Sequence, residues 1–258
     1  MTTSKPTFVL VPGGSQNPAQ YGYLLHLLQA AGFGATSALL PSVGSQEPVT
    51  ASDDAAFIRS RMILPVLDVG QQDVILIMHS YSGMPGSAAA LGLGKSDRAA
   101  EGKTTAVIGQ IFISSILPRG GDGLNIIDGF GGQLPPHMYI DDERSLVCCD
   151  DPKPWLFYDI PTDLADGACR GSLSHGLDVF RTPCPAASWN TEAFKGRLAY
   201  IHTLSDRSIP YEAQCAMVKA TGEEWITKEI KGGHSPQLAA PEELSKIILK
   251  LAEQFTSV

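Results

Sequence analysis

The chain alternates between short apolar runs rich in β-branched residues and longer stretches in which apolar positions recur every three or four residues. TFVLV (7–11) reads as a strand ending at the turn PGGS. Tyr21, Leu24, Leu25 and Leu28 follow at helical spacing, and Gly32 stops that helix. ATSALL (35–40) predicts a weaker strand and PSVGSQEP a loop. Ala55, Ile58, Met62 and Val66 mark one face of a helix starting near Thr50 or Ser52, with Pro65 limiting its last turn. DVILIM (73–78) is the most continuous apolar strand, and a run apolar on both faces belongs in the middle of a parallel sheet. Small residues from Ser82 to Leu93 predict a helix able to pack close against that sheet. GKSDRAAEGKTT (94–105) is a polar connection, and AVIGQIFISSIL (106–117) is the next strand. This alternation with short turns predicts an α/β domain built on a parallel sheet.

The pattern breaks from Pro118 to about Lys195, where PRGGDG, GFGG, QLPP and DDPKP occur among much of the aromatic content. Such a stretch is too long for a loop and too irregular for a strand–helix unit. It predicts a mainly helical cap at 118–195, inserted into a core made of 1–117 and 196–258. Its aromatics can wall an apolar ligand pocket, although most must pack the cap onto the body. Alternation resumes with RLAYIHTL (197–204), a helix over 211–220, the strand EWITKEI (224–230) and a last helix opening at Pro241. That helix buries Leu244, Ile247, Ile248, Leu251 and Phe255.

The 258 residues, 43% apolar and 18% charged, suit one globular domain with a large core. The net charge of -8 repels phosphate backbones, so nucleic acid is not an expected partner. No run approaches a membrane span, and the N-terminal apolar run is too short for a secretory signal. These features predict a soluble cytoplasmic protein with no membrane partner. The five cysteines include an adjacent pair and no CxxC, which predicts free thiols. CCDD (148–151) lacks a second ligand pair at zinc-site spacing. AAALGLGKS (88–96) nearly matches a phosphate-binding loop, but Ala89 replaces its first glycine, and the stretch ends a helix instead of following a strand.

Three polar residues stand just past predicted strand ends: Ser80 in HSYSG, Asp206 in SDRSIP and His234 in GGHSP. The carboxyl ends of parallel strands share one edge, so the three are brought to one rim. A serine becomes a good nucleophile when a base takes its proton, and a carboxylate holds that base in the right tautomer. His234, flanked by glycines and Ser235, is the expected base, with Asp206 orienting it. Asp122 and Asp128 are alternative acids. A tetrahedral intermediate needs two N–H donors: Tyr81, following the nucleophile, and Gly14, in the glycine pair after the first strand. His79 precedes the nucleophile and points away from it, which predicts a structural role. His26, His137, His175 and His202 receive no role.

In this order, HSYSG, SDRSIP and GGHSP resemble the α/β-hydrolase superfamily over nearly the whole chain. The similarity is greatest to the plant methylesterase and hydroxynitrile lyase branch and to related fungal hydrolases. The resemblance implies the α/β-hydrolase fold, with Ser80, Asp206 and His234 as nucleophile, acid and base, and Gly14 and Tyr81 as oxyanion donors. Three features depart from the family pattern. Met78 stands where the serine turn usually has a small residue, and Pro12-Gly13 replaces the usual His-Gly. The lyases carry a lysine after the histidine and a threonine in the first loop, where this chain has Ser235 and Gly13. Hydrolysis is therefore favoured over cyanohydrin chemistry.

The expected function is cofactor-independent and metal-free hydrolysis of a carboxylic ester or lactone of a small, fairly apolar molecule through an acyl-enzyme. Two readings stay open beside it. One keeps the triad for C–C bond hydrolysis, cyclisation or condensation of a polyketide-like secondary metabolite. The other is a small-molecule receptor on the same fold. Substrate identity and oligomeric state, a homodimer among the options, are not readable from the chain.

Overall fold

The computed structural model describes residues 5–257. Its centre is a six-stranded, wholly parallel sheet. The strands are β1 (Thr7–Val11), β2 (Gly34–Ser37), β3 (Val74–His79), β4 (Val107–Ile113), β8 (Leu198–Thr203) and β9 (Ile226–Ile230), in the order β2-β1-β3-β4-β8-β9. Strand β3, the most apolar segment of the sequence, lies inside the sheet with every residue buried, as its two-sided apolar character requires.

Alternate residues feed two cores. Phe8, Leu10, Ile75 and Ile77 pack with Leu24 and Leu28 of α1 (Gly22–Ala30) and with Leu244, Ile248, Leu251 and Phe255 of the last helix, α11 (Pro241–Thr256). Val9, Val11, Leu76 and Met78 face the opposite way, toward α2 (Ala51–Phe57) and α3 (Gly83–Ala89). Helix α9 (Tyr211–Thr221) fills the crossover between β8 and β9, and α10 (Pro236–Ala239) precedes α11.

Several predicted boundaries shift. The strand expected over 35–40 ends at Ser37, on the sheet edge. Helix α2 starts at the Thr50 cap, where Thr50 and Asp53 bond reciprocally. Pro65 does not end the helical run, which widens to π turns over Ile58–Ile63 and Pro65–Val69. There the Leu64 N–H reaches the Arg59 carbonyl five residues back, and a wider turn relieves the proline clash that an α turn would impose. The polar connection at 94–105 contains the short helix α4 (Lys95–Ala100). The phosphate-loop lookalike therefore does open a helix, but it follows a helix end and not a strand.

The segment between β4 and β8 contains α5 (Ile126–Gly129), β5 (Tyr139–Asp141), β6 (Leu146–Cys148), α6 (Lys153–Leu156), α7 (Thr162–Gly171), β7 (His175–Gly176) and α8 (Asp178–Arg181). Its small antiparallel sheet, β5-β6-β7, is an addition to the expected helices. The insertion is stitched to the loop after β2 by Gly44 N–H to the Ser174 carbonyl (2.8 Å) and Gly176 N–H to the Ser42 carbonyl (2.8 Å). Among the described residues, no helix is long and apolar enough to cross a membrane.

The turn leaving β3 is the tightest junction in the fold. Ser80 has φ 57°, in the left-handed region that costs an L-residue about 1–2 kcal/mol. The Ser82 hydroxyl pins the turn by accepting the His79 N–H (2.8 Å) and lying 2.9 Å from the Val11 and His79 carbonyl oxygens, either of which can take its proton. Met78, the bulky departure from the family pattern, is accommodated by Gly86, where a Cβ would lie 2.6 Å from the Met78 thioether. Gly83 lets α3 approach the chain after β4: a Cβ there would meet the Ile116 carbonyl and come within 2.8 Å of Ser115 Cβ. Gly83→Ala is therefore expected to lower the unfolding free energy by about 1–3 kcal/mol through overpacking against rigid backbone, read from the midpoint of a urea titration.

Candidate active site

The carboxyl rim of the sheet brings Ser80, Asp206 and His234 together from behind β3, β8 and β9. His234 Nε2 lies 2.8 Å from Ser80 Oγ, and His234 Nδ1 lies 2.7 Å from Asp206 Oδ2. Asp206 Oδ2 also accepts the Thr203 hydroxyl (2.8 Å), and Oδ1 accepts the backbone N–H of Ser208 (2.8 Å) and Ile209 (2.9 Å). Burial alone would push this carboxyl up. The His234 charge and these donors outweigh burial and hold it below the usual carboxylate range, so it is ionised at neutral pH. An ionised Asp206 draws the imidazole proton to Nδ1 and leaves Nε2 free to accept from the serine hydroxyl.

The end of β3 and the insertion hold the His234 loop in place. His79, just before Ser80, donates from Nε2 to the His234 carbonyl (2.7 Å), and its Nδ1 faces the Tyr21 hydroxyl at 2.6 Å. It holds the His234 backbone and makes no hydrogen bond to Ser80, as the structural role expected of it requires. Asp159 of the insertion accepts the Gly233 N–H (2.6 Å), while the Tyr158 hydroxyl donates to the Ser205 carbonyl (2.6 Å) next to Asp206. Asp122 accepts the Leu124 N–H in a local turn, and Asp128 accepts the Asn125 N–H at the α5 cap, so these alternative acids serve local structure.

Gly14 and Tyr81 line the same cavity as Ser80, and among the described residues no turn or cap hydrogen bond uses either backbone N–H. A side chain on Gly13 would force its neighbours to move, and one on Gly14 would be tightly packed. A Cβ on Gly13 would come within 2.9 Å of His79 Nδ1 and 3.3 Å of Ser80 Cβ, and one on Gly14 would lie 3.3 Å from Tyr81 Cβ.

A cavity of about 710 Å³ opens over Ser80 and His234. Its walls are mainly apolar, from Ile116, Ile126, Met138, Leu156, Ile209 and Met217 among others. Of the aromatics in 118–195, Phe130 and Phe180 line it, whereas Phe157, Trp189 and Phe194 are packed in the cores. Cys148 and Cys149 are free thiols, and no group of three metal-binding side chains occurs among the described residues.

Two histidines given no role from the sequence, His137 and His175, also line the cavity, whereas His26 lies exposed on α1 and His202 is buried in β8. Asp54 is the other residue missed. It is fully buried behind Tyr81, whose hydroxyl it accepts at 2.8 Å. The signal was present: Asp54 is a lone acid on the apolar face shared by Ala51, Ala55 and Ile58.

The model of the alpha/beta hydrolase family matches residues 8–247. A probable hydrolase from a Phoma species is 27% identical over 96% of this chain and 99% of its own length. An alpha/beta hydrolase from Aspergillus novofumigatus is 27% identical over 98% and 99%. Among solved structures, polyneuridine aldehyde esterase superposes with a TM-score of 0.71 at 21% identity, covering 96% of this chain and 99% of its own. A methylesterase from Arabidopsis gives 0.70 at 18% identity over 96% and 99%. At these identities the structural likeness is one of fold.

Burial holds the imidazoles of His79 and His175 neutral, each depressed to about 3, with the nearby His234 charge adding to the effect on His79. In the unfolded chain the same groups take up protons below about pH 6.5. Between that pH and about 3 the unfolded state binds more protons, so native stability falls as pH falls, by about 1.4 kcal/mol per pH unit for each such group. Burial also lowers His137, to about 4, and His202, which act in the same sense, whereas Asp54, whose carboxyl burial pushes up, opposes them. Urea unfolding free energies should therefore decline steadily from pH 6.5 to 4.5, and a flat profile would show that the two imidazoles are not buried neutral.

Proposed function

The chain belongs to the alpha/beta hydrolase family, and from that premise we propose that it is a serine hydrolase cleaving a carboxylic ester or lactone of a small, fairly apolar molecule. The observation that carries this reading is the continuous contact from Ser80 through His234 to Asp206 at the floor of the apolar cavity. A cavity of about 710 Å³ suits a drug-sized ligand.

Ser80 Oγ attacks the carbonyl carbon as its proton passes to His234 Nε2. Asp206 stabilises the resulting imidazolium. The negative charge on the carbonyl oxygen is met by the N–H groups of Gly14 and Tyr81, which hold no competing turn bond. Collapse of the tetrahedral intermediate breaks the ester C–O bond, and His234 returns its proton to the leaving alcohol. Water, deprotonated by His234, then attacks the acyl-enzyme, releases the acid and restores Ser80. The left-handed turn at Ser80 supports this role, because it lifts the hydroxyl out of the strand line. The insertion at 118–195 serves as the lid, and the chemistry calls for no cofactor or metal. We place the enzyme in the cytoplasm.

Ser80→Ala is expected to lower kcat on a chromogenic ester on the order of a million-fold. A fluorophosphonate should label the wild-type enzyme stoichiometrically on Ser80, located by peptide mass, and leave the variant unlabelled. Turnover near wild type in Ser80→Ala would refute the mechanism. Asp206→Asn should cost about ten-thousand-fold in kcat by presenting the wrong imidazole tautomer, with KM little changed, as steady-state kinetics would show.

A further inference from the structure

Asp54 is completely buried, with no cation among its hydrogen-bond partners. Removing a carboxylate from water costs several kcal/mol unless donors replace the solvent. Here three do so: the Ser42 N–H to Oδ1 (3.1 Å), and the Ser42 hydroxyl (2.5 Å) and Tyr81 hydroxyl (2.8 Å) to Oδ2. Because the Ser42 proton is given to Asp54, Ser42 Oγ accepts from His175 Nε2 at 2.8 Å. That assignment leaves a lone pair on His175 Nδ1.

This ring bears on both residues proposed as oxyanion donors. It meets the Tyr81 ring edge-on at 4.5 Å between centroids and 71° between planes. Its Nδ1 sits 3.1 Å from where a Gly14 Cβ would stand, buried and without a hydrogen-bond partner. Phe180 closes the far side of the ring at 5.6 Å and 90°. The four residues come from separate places in the chain: Asp54 from α2, Ser42 from the loop after β2, His175 from the insertion and Tyr81 from the serine turn. None of these contacts involves Ser80, His234 or Asp206.

We propose that Asp54, Ser42 and His175 are positioning residues that hold the Tyr81 and Gly14 backbones as one oxyanion site, so that the site is complete only when the insertion delivers His175 to Ser42. This rests on the serine-hydrolase reading above. The network acts on the transition state alone, since an oxyanion forms only after attack on the carbonyl.

Two variants test it. Tyr81→Phe deletes one oxygen and keeps the ring and backbone N–H, and Asp54→Asn keeps the side-chain volume. On p-nitrophenyl butyrate each should lower kcat about tenfold to hundredfold while KM stays within about twofold, less than outright loss of an oxyanion donor. The Ki of phenylboronic acid, which forms a tetrahedral adduct on the serine, should rise by the same factor. Folded fraction is read by circular dichroism, and rates are expressed per folded molecule. If Asp54→Asn does not fold, Tyr81→Phe decides. Wild-type kcat and boronate affinity in the folded variants, or a change confined to KM or to thermal stability, would overturn the proposal. Fluorophosphonate labelling separates the two readings. Wild-type enzyme labelled on Ser80 with variants labelled equally fast refutes the positioning role alone. Wild-type enzyme that does not label removes the hydrolase reading and this inference with it.

Discussion

The rim is organised around one backbone dihedral. Ser80 sits at φ 57°, where an L-residue is crowded by its own Cβ, and the surroundings keep it there. The Ser82 hydroxyl ties the turn to β1 and to the end of β3, Ile116 donates to the Ser80 carbonyl at 3.2 Å, and Gly13 and Gly83 leave space where a methyl group would collide. Relaxing the turn would return the hydroxyl toward the strand line, away from His234. The conformational cost is local, and the contacts that offset it come from three stretches of the chain.

Charge is distributed just as selectively. Asp206 is the ionised group in contact with His234, and burial keeps the imidazoles of His79 and His175 neutral. A neutral His79 can therefore lie against His234, with ring centroids 4.9 Å apart, without competing for its carboxylate. The insertion holds the loops that carry Asp206 and His234 through Tyr158 and Asp159, so the segment that supplies much of the cavity wall also fixes those two loops.

The parallel sheet and the meeting of Ser80, Asp206 and His234 were legible because both follow from short-range pattern. Apolar runs mark strands, and parallel strands put their carboxyl ends on one edge. What escaped depended on distant partners. The strands β5, β6 and β7 span only two or three residues each, too few to show alternation. His175 lies in a stretch without periodicity, and nothing nearby in the chain announces Ser42. Asp54 was visible as a misplaced charge on an apolar helix face, but its meaning needed Tyr81 beside it. Pro65 was read by its α-helical rule, and the chain instead adopted the wider turn in which that rule does not apply.

The fit between Met78 and Gly86 bears on how such sites are detected in uncharacterised chains. The small residue usually expected two positions before the serine is not missing here. Its volume has been moved eight positions along, onto the facing surface of α3. The requirement is thus a sum over two positions, and a consensus written one column at a time records it as a violation. Searches that score the pair jointly would recover chains that a glycine-anchored signature discards, and sequences with large residues at both positions would be the ones to reject.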